Sequence, residues 1–316
     1  MPLAIGVDIG GTKVAAGVVD DAGRVIDTER RPTPSNDVDE TEQVIAEVVD
    51  DLVKRHDVIA VGIGAAGWIG NDRATVLFSP HLAWRNEPLR DALADRIGQP
   101  VTVENDANAA AWAEYRYGAA QGERVVCCVT LGTGIGGGLV VSGVLFRGAH
   151  GVAAEYGHMT IVPGGRRCAC GNRGCWEMYA SGRALARDAR ELAEVSPVAA
   201  ERLLELAGGA PAQLTGEHVT VAAREGDPAA MEIFIEMDRW LGRGIANLAA
   251  VLDPTVVVIG GGVCAAGDLL LGPTAEEFAA TLTGRGFRPA ARIALARCGP
   301  LAGLIGAADL ARRRQS

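Results

Sequence analysis

The sequence predicts an α/β fold of two related lobes with a cleft between them, because the same strand plan occurs twice. Residues 4–20 (AIGVDIGGTKVAAGVVD) read as an apolar strand, a Gly-Gly turn and a second apolar strand, and residues 126–141 (VCCVTLGTGIGGGLVV) repeat this plan. Residues 58–64 and 256–262 are β-branched runs that end in glycines, which is typical of buried parallel strands. The same order in both halves indicates a duplicated α/β unit.

Helical periodicity fills much of the remaining chain. Apolar residues recur at helical spacing in several segments, and Asp-Pro at 227–228 favours a helix start. The predicted helices are 39–55, 107–117, 182–194, 227–252 and 301–314. The weakly periodic segment 195–218 is predicted to be a surface excursion. We expect residues 1–116 with 301–316 to form a smaller N-terminal lobe, and residues 117–300 to form a larger C-terminal lobe.

Composition narrows the classes of partner. The chain has 316 residues and a formal net charge of −9, which argues against nucleic acid as a main partner because phosphate binding needs a basic surface. The sequence contains no apolar run of membrane-spanning length and no charged leader before its first strand, so we expect a cytoplasmic protein without a membrane partner. In a reducing compartment, seven cysteines do not predict a disulfide framework.

Three of those cysteines lie close to a histidine, which predicts a metal site. His158, Cys168, Cys170 and Cys175 supply four ligands of the Cys₃His type. A filled tetrahedron leaves no position for an activated water, so the expected ion is a structural Zn²⁺. The alternative is three free thiols beside a histidine.

Two glutamates flank these ligands, with Glu155 three residues before His158 and Glu177 two residues after Cys175. A metal that fixes this loop would hold both carboxylates in one geometry. When one nitrogen of the His158 ring binds the metal, the other can hydrogen-bond a hydroxyl group. The sequence therefore favours a pocket for a polyhydroxyl substrate, although solvated loop carboxylates are the alternative.

The glycine turns are candidate phosphate sites. Consecutive backbone N–H groups in such turns can form a concave anion site, although a tight hairpin alone can also require glycines. The candidate residues for nucleotide phosphates and their Mg²⁺ are Asp8, Gly10, Gly11, Thr12, Lys13, Gly132, Thr133, Gly134, Gly260, Gly261 and Gly262. A carboxylate such as Asp8, at the end of its strand, can hold Mg²⁺ directly or through water. No P-loop or Rossmann fingerprint is found at the N-terminus.

A third cluster, Glu104-Asn105-Asp106-Ala-Asn108, follows a predicted strand and precedes an alanine-rich helix. One of its polar residues is expected to cap that helix. A carboxylate facing the cleft can accept the proton of a hydroxyl group that attacks phosphorus. We therefore predict Asp106 as a general base, with helix capping as its alternative role.

These motifs resemble those of the ROK family of repressors, open reading frames and kinases, within the sugar kinase, heat-shock chaperone and actin superfamily. The resemblance rests on Asp8-Ile-Gly-Gly-Thr-Lys13, the glycine turns, Glu155-x-x-His158 and the cysteine motif from Cys168 to Glu177, and it spans about residues 4–310. It implies a two-lobed actin-like, ribonuclease H-like ATPase fold.

The resemblance also implies a function. Within the family the chain is most similar to bacterial glucokinases, so ATP-dependent phosphorylation of the 6-hydroxyl of a hexose, glucose above all, is expected. Matching residues imply Asp106 as the base. The implied or possible sugar contacts are Gly67, Asn105, Asp106, Glu155, His158 and Glu177. A homodimer or homotetramer is implied by the resemblance alone.

Alternatives to this reading belong to three classes. Other hexose and amino-sugar kinases, such as those for fructose or N-acetylmannosamine, would share these motifs. A repressor would need a DNA-binding domain before the Asp8 strand, for which seven residues leave no room. A sugar-sensing regulator remains an alternative, whereas a chaperone-type ATPase would have no use for the metal-bound pocket. His81 stands where the family commonly has asparagine, and its role is left open.

Overall fold

The computed structural model describes residues 2–315. Within them the strands are β1 (Leu3–Ile9), β2 (Lys13–Val19), β3 (Val25–Pro32), β4 (Val58–Ala65), β5 (Trp68–Ile69), β6 (Val76–Phe78), β7 (Arg85–Glu87), β8 (Val101–Asn105), β9 (Val125–Leu131), β10 (Ile135–Val141), β11 (Val144–Leu145), β12 (Val256–Gly260) and β13 (Arg292–Leu295). The α-helices of the same residues are α1 (Val38–Val53), α2 (Leu89–Ile97), α3 (Asp106–Tyr117), α4 (Gly182–Val195), α5 (Glu201–Leu206), α6 (Gly216–Arg224), α7 (Pro228–Leu252), α8 (Asp268–Thr281) and α9 (Ala302–Gln315).

Two five-stranded sheets share one plan. Their strand orders are β3-β2-β1-β4-β8 and β11-β10-β9-β12-β13. In the first sheet, β1 pairs antiparallel with β2 and parallel with β4, which pairs parallel with β8. In the second sheet, β10 pairs antiparallel with β11, and β12 pairs parallel with β13. Strands β1 and β9 therefore hold equivalent positions, and the predicted duplication of the α/β plan is confirmed.

Contacts between residues divide the chain into two compact units. The first unit contains residues 1–128, 138–154 and 297–316, and the second contains residues 129–137 and 155–296. Residues 117–128 and 138–154, predicted in the C-terminal lobe, thus pack in the first unit.

Helices cover both faces of the sheet in the first unit. Ile5 and Val7 join buried side chains of α1 and α2 in one cluster, whereas Ala4 joins residues of α3 and α9 in another, because alternate side chains of a strand point to opposite faces. Gly6 and Gly62 allow α9 to approach closely, since a Cβ at either position would collide with the α9 backbone. The C-terminal helix therefore packs directly on β1 and β4.

In the second unit, the long helix α7 packs against α4, α6 and α8. Trp176 is fully buried, and its ring lies where a Cβ on Gly244 of α7 would be. Its indole N–H donates to the Trp240 carbonyl at 2.9 Å. This contact anchors the end of the cysteine motif on the helical layer.

The five predicted helices are confirmed, and each observed helix end lies within two residues of the predicted one. The segment 195–218, predicted to be a surface excursion, contains α5 and the start of α6. Helices α2 and α8 were not predicted from periodicity. Helix α8 contains Pro273 and its apolar residues lie all round the helix, so it lacks the one-sided pattern that identifies a surface helix. Among residues 2–315, no helix is both long and apolar enough to cross a membrane.

Candidate functional site

The parallel strands of the first sheet bring Asp8 and the Asn105-Asp106 pair to one edge. Asp8 of β1 is in register with Gly64 of β4, which is in register with Glu104 of β8. Asn105 and Asp106 follow directly at the end of β8 and the start of α3. Carboxyl ends of parallel strands are the usual place for ligands in α/β sheets, so Asp8 and Asp106 lie at the edge where such a site is expected.

Asn105 is the cap of α3, and Asp106 is not. Asn105 is the N-cap residue, with an extended backbone, and its side-chain Oδ1 accepts the Asn108 N–H at 2.9 Å. Its Nδ2 donates to the Gly67 carbonyl at 3.0 Å and to Asp106 Oδ1 at 3.1 Å. The capping alternative for Asp106 is therefore wrong, and the structure brings Gly67, Asn105 and Asp106 together.

The buried Glu104 carboxylate holds the Asn105-Asp106 segment in place. Its side chain is 3% exposed, and its Oε2 accepts from Arg147 Nη2 at 2.6 Å and Nε at 2.8 Å. Its Oε1 accepts the Asn105 N–H and Asn108 Nδ2, each at 3.2 Å. Arg73 Nε lies 3.6 Å from Oε2. A buried carboxylate is stable only when it is paired and hydrogen-bonded in this way, so Glu104 fixes the backbone that carries Asp106.

The first glycine turn joins β1 to β2. The Gly10 N–H donates to the Lys13 carbonyl at 3.0 Å, and the Gly10 carbonyl accepts from Thr33 Oγ1 at 2.8 Å. Burial raises the pKa of Asp8, and the nearby Lys13 ammonium opposes that shift. A Cβ on Gly11 would lie 3.0 Å from His81 Cβ, so His81 packs against this turn. A divalent cation beside Asp8 would favour the ionised carboxylate.

The second glycine turn joins β9 to β10. The Gly132 N–H donates to the Gly134 carbonyl at 3.0 Å, and the Gly132 carbonyl accepts the N–H of Gly182, the first residue of α4, at 2.9 Å. Gly261, which follows β12 with φ of 92°, packs against the Leu131 backbone. Two of the predicted glycine motifs therefore lie side by side at the ends of neighbouring strands in the second unit.

The four predicted metal ligands converge in the second unit. One donor atom from each of His158, Cys168, Cys170 and Cys175 can be chosen so that all four lie within 4.8 Å of one another. The Sγ atoms of Cys170 and Cys175 are 3.6 Å apart, and Cys168 Sγ is 3.7 Å from His158 Nδ1. A tetrahedral Zn²⁺ with Zn–S bonds of about 2.3 Å separates its sulfur ligands by about 3.8 Å. The donor set therefore fits a tetrahedral zinc ion.

The two nitrogens of the His158 ring face different groups. Nδ1 faces the cysteines, whereas Nε2 lies 4.0 Å from Glu155 Oε2. On the cysteine side, Glu177 Oε1 lies 3.7 Å from Nδ1 and accepts a hydrogen bond from Cys168 Sγ at 3.0 Å. The mostly buried Glu177 carboxylate thus borders the metal cluster, and a metal on Nδ1 would leave Nε2 directed toward Glu155.

Two supporting contacts had no signal in the sequence. Arg147 lies 43 residues from its partner Glu104, and no local pattern joins them. Ser181 caps α4 and donates its hydroxyl hydrogen to the Glu177 carbonyl at 2.7 Å. A helix N-cap can be predicted from Ser-Gly at 181–182, but its bond to Glu177 cannot.

The candidate residues therefore form two sets within separate compact units. The first unit holds Asp8, the first glycine turn, Gly67, Asn105 and Asp106. The second unit holds the second glycine turn, residues 260–262, Glu155, Glu177 and the four metal ligands.

Comparison with known proteins identifies the family. The ROK family profile matches residues 4–314. A glucokinase from Streptomyces coelicolor is 50% identical over 312 residues, which cover 99% of this chain and 98% of that protein. The crystal structure of a ROK family glucokinase from Streptomyces griseus, in complex with glucose and AMPPNP, is 51% identical, with a TM-score of 0.92 over 98% of this chain and 99% of that one.

A ROK hexokinase from Thermus thermophilus is 36% identical, with a TM-score of 0.82 over 99% of each chain. These neighbours confirm the predicted fold class, the α/β fold of actin-like sugar kinases. With the motifs, the full-length profile match and the structural neighbours in agreement, the chain belongs to the ROK family.

Proposed function

We propose that this protein is an ATP-dependent glucokinase, which transfers the γ-phosphoryl group of ATP to the 6-hydroxyl of glucose. The observation that carries the proposal is the 50% identity, over 99% of the chain, to a glucokinase from Streptomyces coelicolor. The similar Streptomyces griseus enzyme, whose structure contains glucose and AMPPNP, supports the same pair of substrates. The proposed use of ATP places the reaction in the cytoplasm.

Asp106 is the proposed general base. It is the first residue of α3, where the helix N-terminus favours a negative charge, and its Oδ1 accepts the Ala107 N–H at 2.9 Å and the Asn105 amide at 3.1 Å. These bonds orient the carboxylate. As the sugar 6-oxygen attacks the γ-phosphorus, Asp106 accepts the hydroxyl proton, and ADP leaves.

The proposed sugar contacts are the Asn105 side chain, the Gly67 backbone and the side chains of Glu155, His158 and Glu177. Several oriented acceptors are needed because each sugar hydroxyl loses its hydrogen bonds to water on binding. A Zn²⁺ held by His158 Nδ1 and the three thiolates would fix the loop and lower the thiol pKa values when bound.

The glycine turns supply backbone N–H groups to the phosphates in this account. Residues 10–13, 132–134 and 260–262 are proposed for this role, and Asp8 is proposed to hold Mg²⁺ through water. When bound, Mg²⁺ neutralises charge that develops on the phosphate oxygens. No lysine of a P-loop is needed, since backbone donors in consecutive glycines form the anion site.

A coupled assay for ADP release tests the proposal. Purified protein with Mg-ATP is supplied separately with glucose, fructose, mannose, N-acetylmannosamine and N-acetylglucosamine. The expected result is a strong signal with glucose and little with the others. Sugar binding without sugar-dependent ADP release would contradict the proposal and indicate a sensor. A dominant signal with another hexose would keep the reaction and replace the substrate.

We also propose a homodimer or homotetramer, on family resemblance alone. Light scattering coupled to size-exclusion chromatography measures the molar mass directly. A mass of twice or four times 32.7 kDa is expected, and a monomer at micromolar concentration would contradict the proposal.

A further inference from the structure

The second glycine turn and the end of the cysteine motif meet at one contact. A Cβ added to Gly134 would collide with Oε2 of Glu177. The other oxygen of that carboxylate, Oε1, accepts the hydrogen bond from Cys168 Sγ and lies 3.7 Å from His158 Nδ1. The Glu177 carboxylate therefore stands between the glycine turn proposed for phosphate and the metal cluster.

The backbone of Glu177 is held more firmly than its carboxylate. Its carbonyl accepts from Ser181 Oγ at 2.7 Å, and the preceding residue, Trp176, is buried against α7. The Glu177 side chain itself is only 11% exposed. If a methyl group were present at position 134, the side chain of Glu177 would rotate, because the end of a flexible side chain moves more easily than an anchored backbone.

Backbone conformation does not explain the glycine at this position. Neither Gly132 nor Gly134 has φ in the left-handed region, so both positions allow an L-residue on that ground. At Gly132, no atom of the described residues outside its chain neighbours lies within 4 Å of an added Cβ. The two glycines of one turn thus differ in what an added side chain would meet, which at Gly134 is the Glu177 carboxylate.

We propose that Gly134 is a positioning residue for sugar binding, because its missing side chain leaves the space that the Glu177 carboxylate occupies. The inference rests on the proposed function, in which Glu177 binds a sugar hydroxyl. It joins two motifs that otherwise serve different substrates: the turn that binds phosphate also sets the rotamer of a sugar-binding carboxylate. A substitution in the nucleotide turn then alters glucose affinity in the absence of any nucleotide.

Isothermal titration with glucose alone tests this inference, using wild-type protein, G134A and G132A. Loss of one charge-assisted hydrogen bond to a hydroxyl weakens binding by roughly ten-fold or more, so G134A should show a glucose Kd raised at least about ten-fold. G132A adds a methyl group in the same turn but meets no atom of the described residues, so its glucose Kd should stay within about two-fold of the wild-type value. Equal glucose Kd values for the two variants would overturn the inference.

Two further measurements separate the direct route through Glu177 from indirect ones. Zinc content, measured on the same samples, should be equal in G134A and wild type, and zinc loss in G134A would overturn the direct route. In a Glu177→Ala background the carboxylate is gone, so adding G134A should change glucose affinity by less than about two-fold. An additional loss equal to that in the wild-type background would also overturn the inference.

The outcome for the wild type distinguishes this inference from the proposed function. Wild-type protein that binds no glucose would overturn both. Wild-type protein that binds and phosphorylates glucose, together with a G134A variant that binds glucose as tightly as G132A, would overturn the inference alone.

Discussion

The loop that carries Asp106 and the loop that carries the metal ligands are built in different ways. The base loop, residues 104–108, joins a buried strand directly to a helix, and its side chains are bonded to each other and to Arg147. The metal loop, residues 155–178, contains only two three-residue 3₁₀ turns, at Tyr156–His158 and Trp176–Met178, and two isolated bridges. The donor atoms of His158, Cys168, Cys170 and Cys175 converge within it.

This difference indicates what each loop needs in order to form. Hydrogen bonds and one buried ion pair hold the base loop, so the folded chain is sufficient for it. In the metal loop, burial raises the pKa of the Cys168 and Cys175 thiols, and a cation is needed to bring the thiolates together. We therefore expect the base loop to be preformed and the metal loop to depend on the metal.

The largest effect is expected from Asp106→Ala, which removes the base and leaves both loops in place. Loss of a general base lowers kcat by roughly 10²- to 10⁴-fold, while the glucose Kd should change by less than about ten-fold because the other sugar contacts remain. Steady-state kinetics and glucose titration measure the two quantities. Turnover like that of the wild type would remove Asp106 as the base.

Removal of a metal ligand should affect only the metal loop. Cys170→Ser is expected to lower zinc content and glucose affinity together, the latter by roughly ten-fold or more, since a loosened loop loses at least one charge-assisted hydrogen bond to the sugar. The matched control is Cys298→Ser, a half-buried cysteine outside the cluster, which should keep its zinc. Full zinc occupancy with normal glucose affinity in Cys170→Ser would contradict the scaffold role of the metal.

Glu104→Gln should affect only the base loop. It leaves the Arg147 and Arg73 guanidinium groups without their buried counter-charge, which is expected to lower the free energy of unfolding by about 3 kcal/mol. We expect kcat to fall by roughly ten-fold as Asp106 loses its support, with zinc content unchanged. Thermal unfolding, kinetics and metal analysis measure these effects.

A second substitution provides the control for Glu104. Replacing both members of the pair, in Glu104→Gln/Arg147→Met, should recover part of the stability because only Arg73, and no longer Arg147, loses its counter-charge. Stability losses that simply add would show that the ion pair does not hold the loop.

The smallest expected effect on stability concerns Asp238, a buried carboxyl group without the ion pair and hydrogen bonds that Glu104 has. Its oxygens have no hydrogen-bond partner among the described residues. Burial raises its pKa to about 9, although the neighbouring Thr274 hydroxyl lowers it somewhat. The folded state therefore keeps a proton that the unfolded state releases above pH 4, so stability falls as pH rises from about 4 to about 9.

Asp238→Asn removes this titration. Relative to the wild type, the variant should gain up to about 1 kcal/mol of stability per pH unit between pH 6 and pH 8. Denaturant unfolding at both pH values measures the change, and parallel pH profiles for the two proteins would contradict it. By contrast, Glu104→Gln removes a carboxylate that is paired, so this variant should lose stability at both pH values.

Much of the fold and half of the site could be predicted because the signals are local. Gly-Gly turns between apolar strands, the helix after Asn105 and the spacing of the cysteines each occupy short stretches. The supports are not local. Arg147 reaches Glu104 across 43 residues, and Gly134 meets Glu177 only after the chain has passed through the whole metal loop. Such pairs depend on tertiary packing, which periodicity and spacing do not encode.

Hydrogen exchange with and without a strong zinc chelator tests the central claim most directly, with zinc content measured on the same samples. Amides in the metal loop, among them those of Cys168 and Gly174, are bonded to carbonyls of the same loop and should lose protection when zinc is removed. Amides of β8 and α3, on either side of the base, should keep theirs. Unchanged protection in both regions after complete zinc removal, or equal loss in both, would contradict the account.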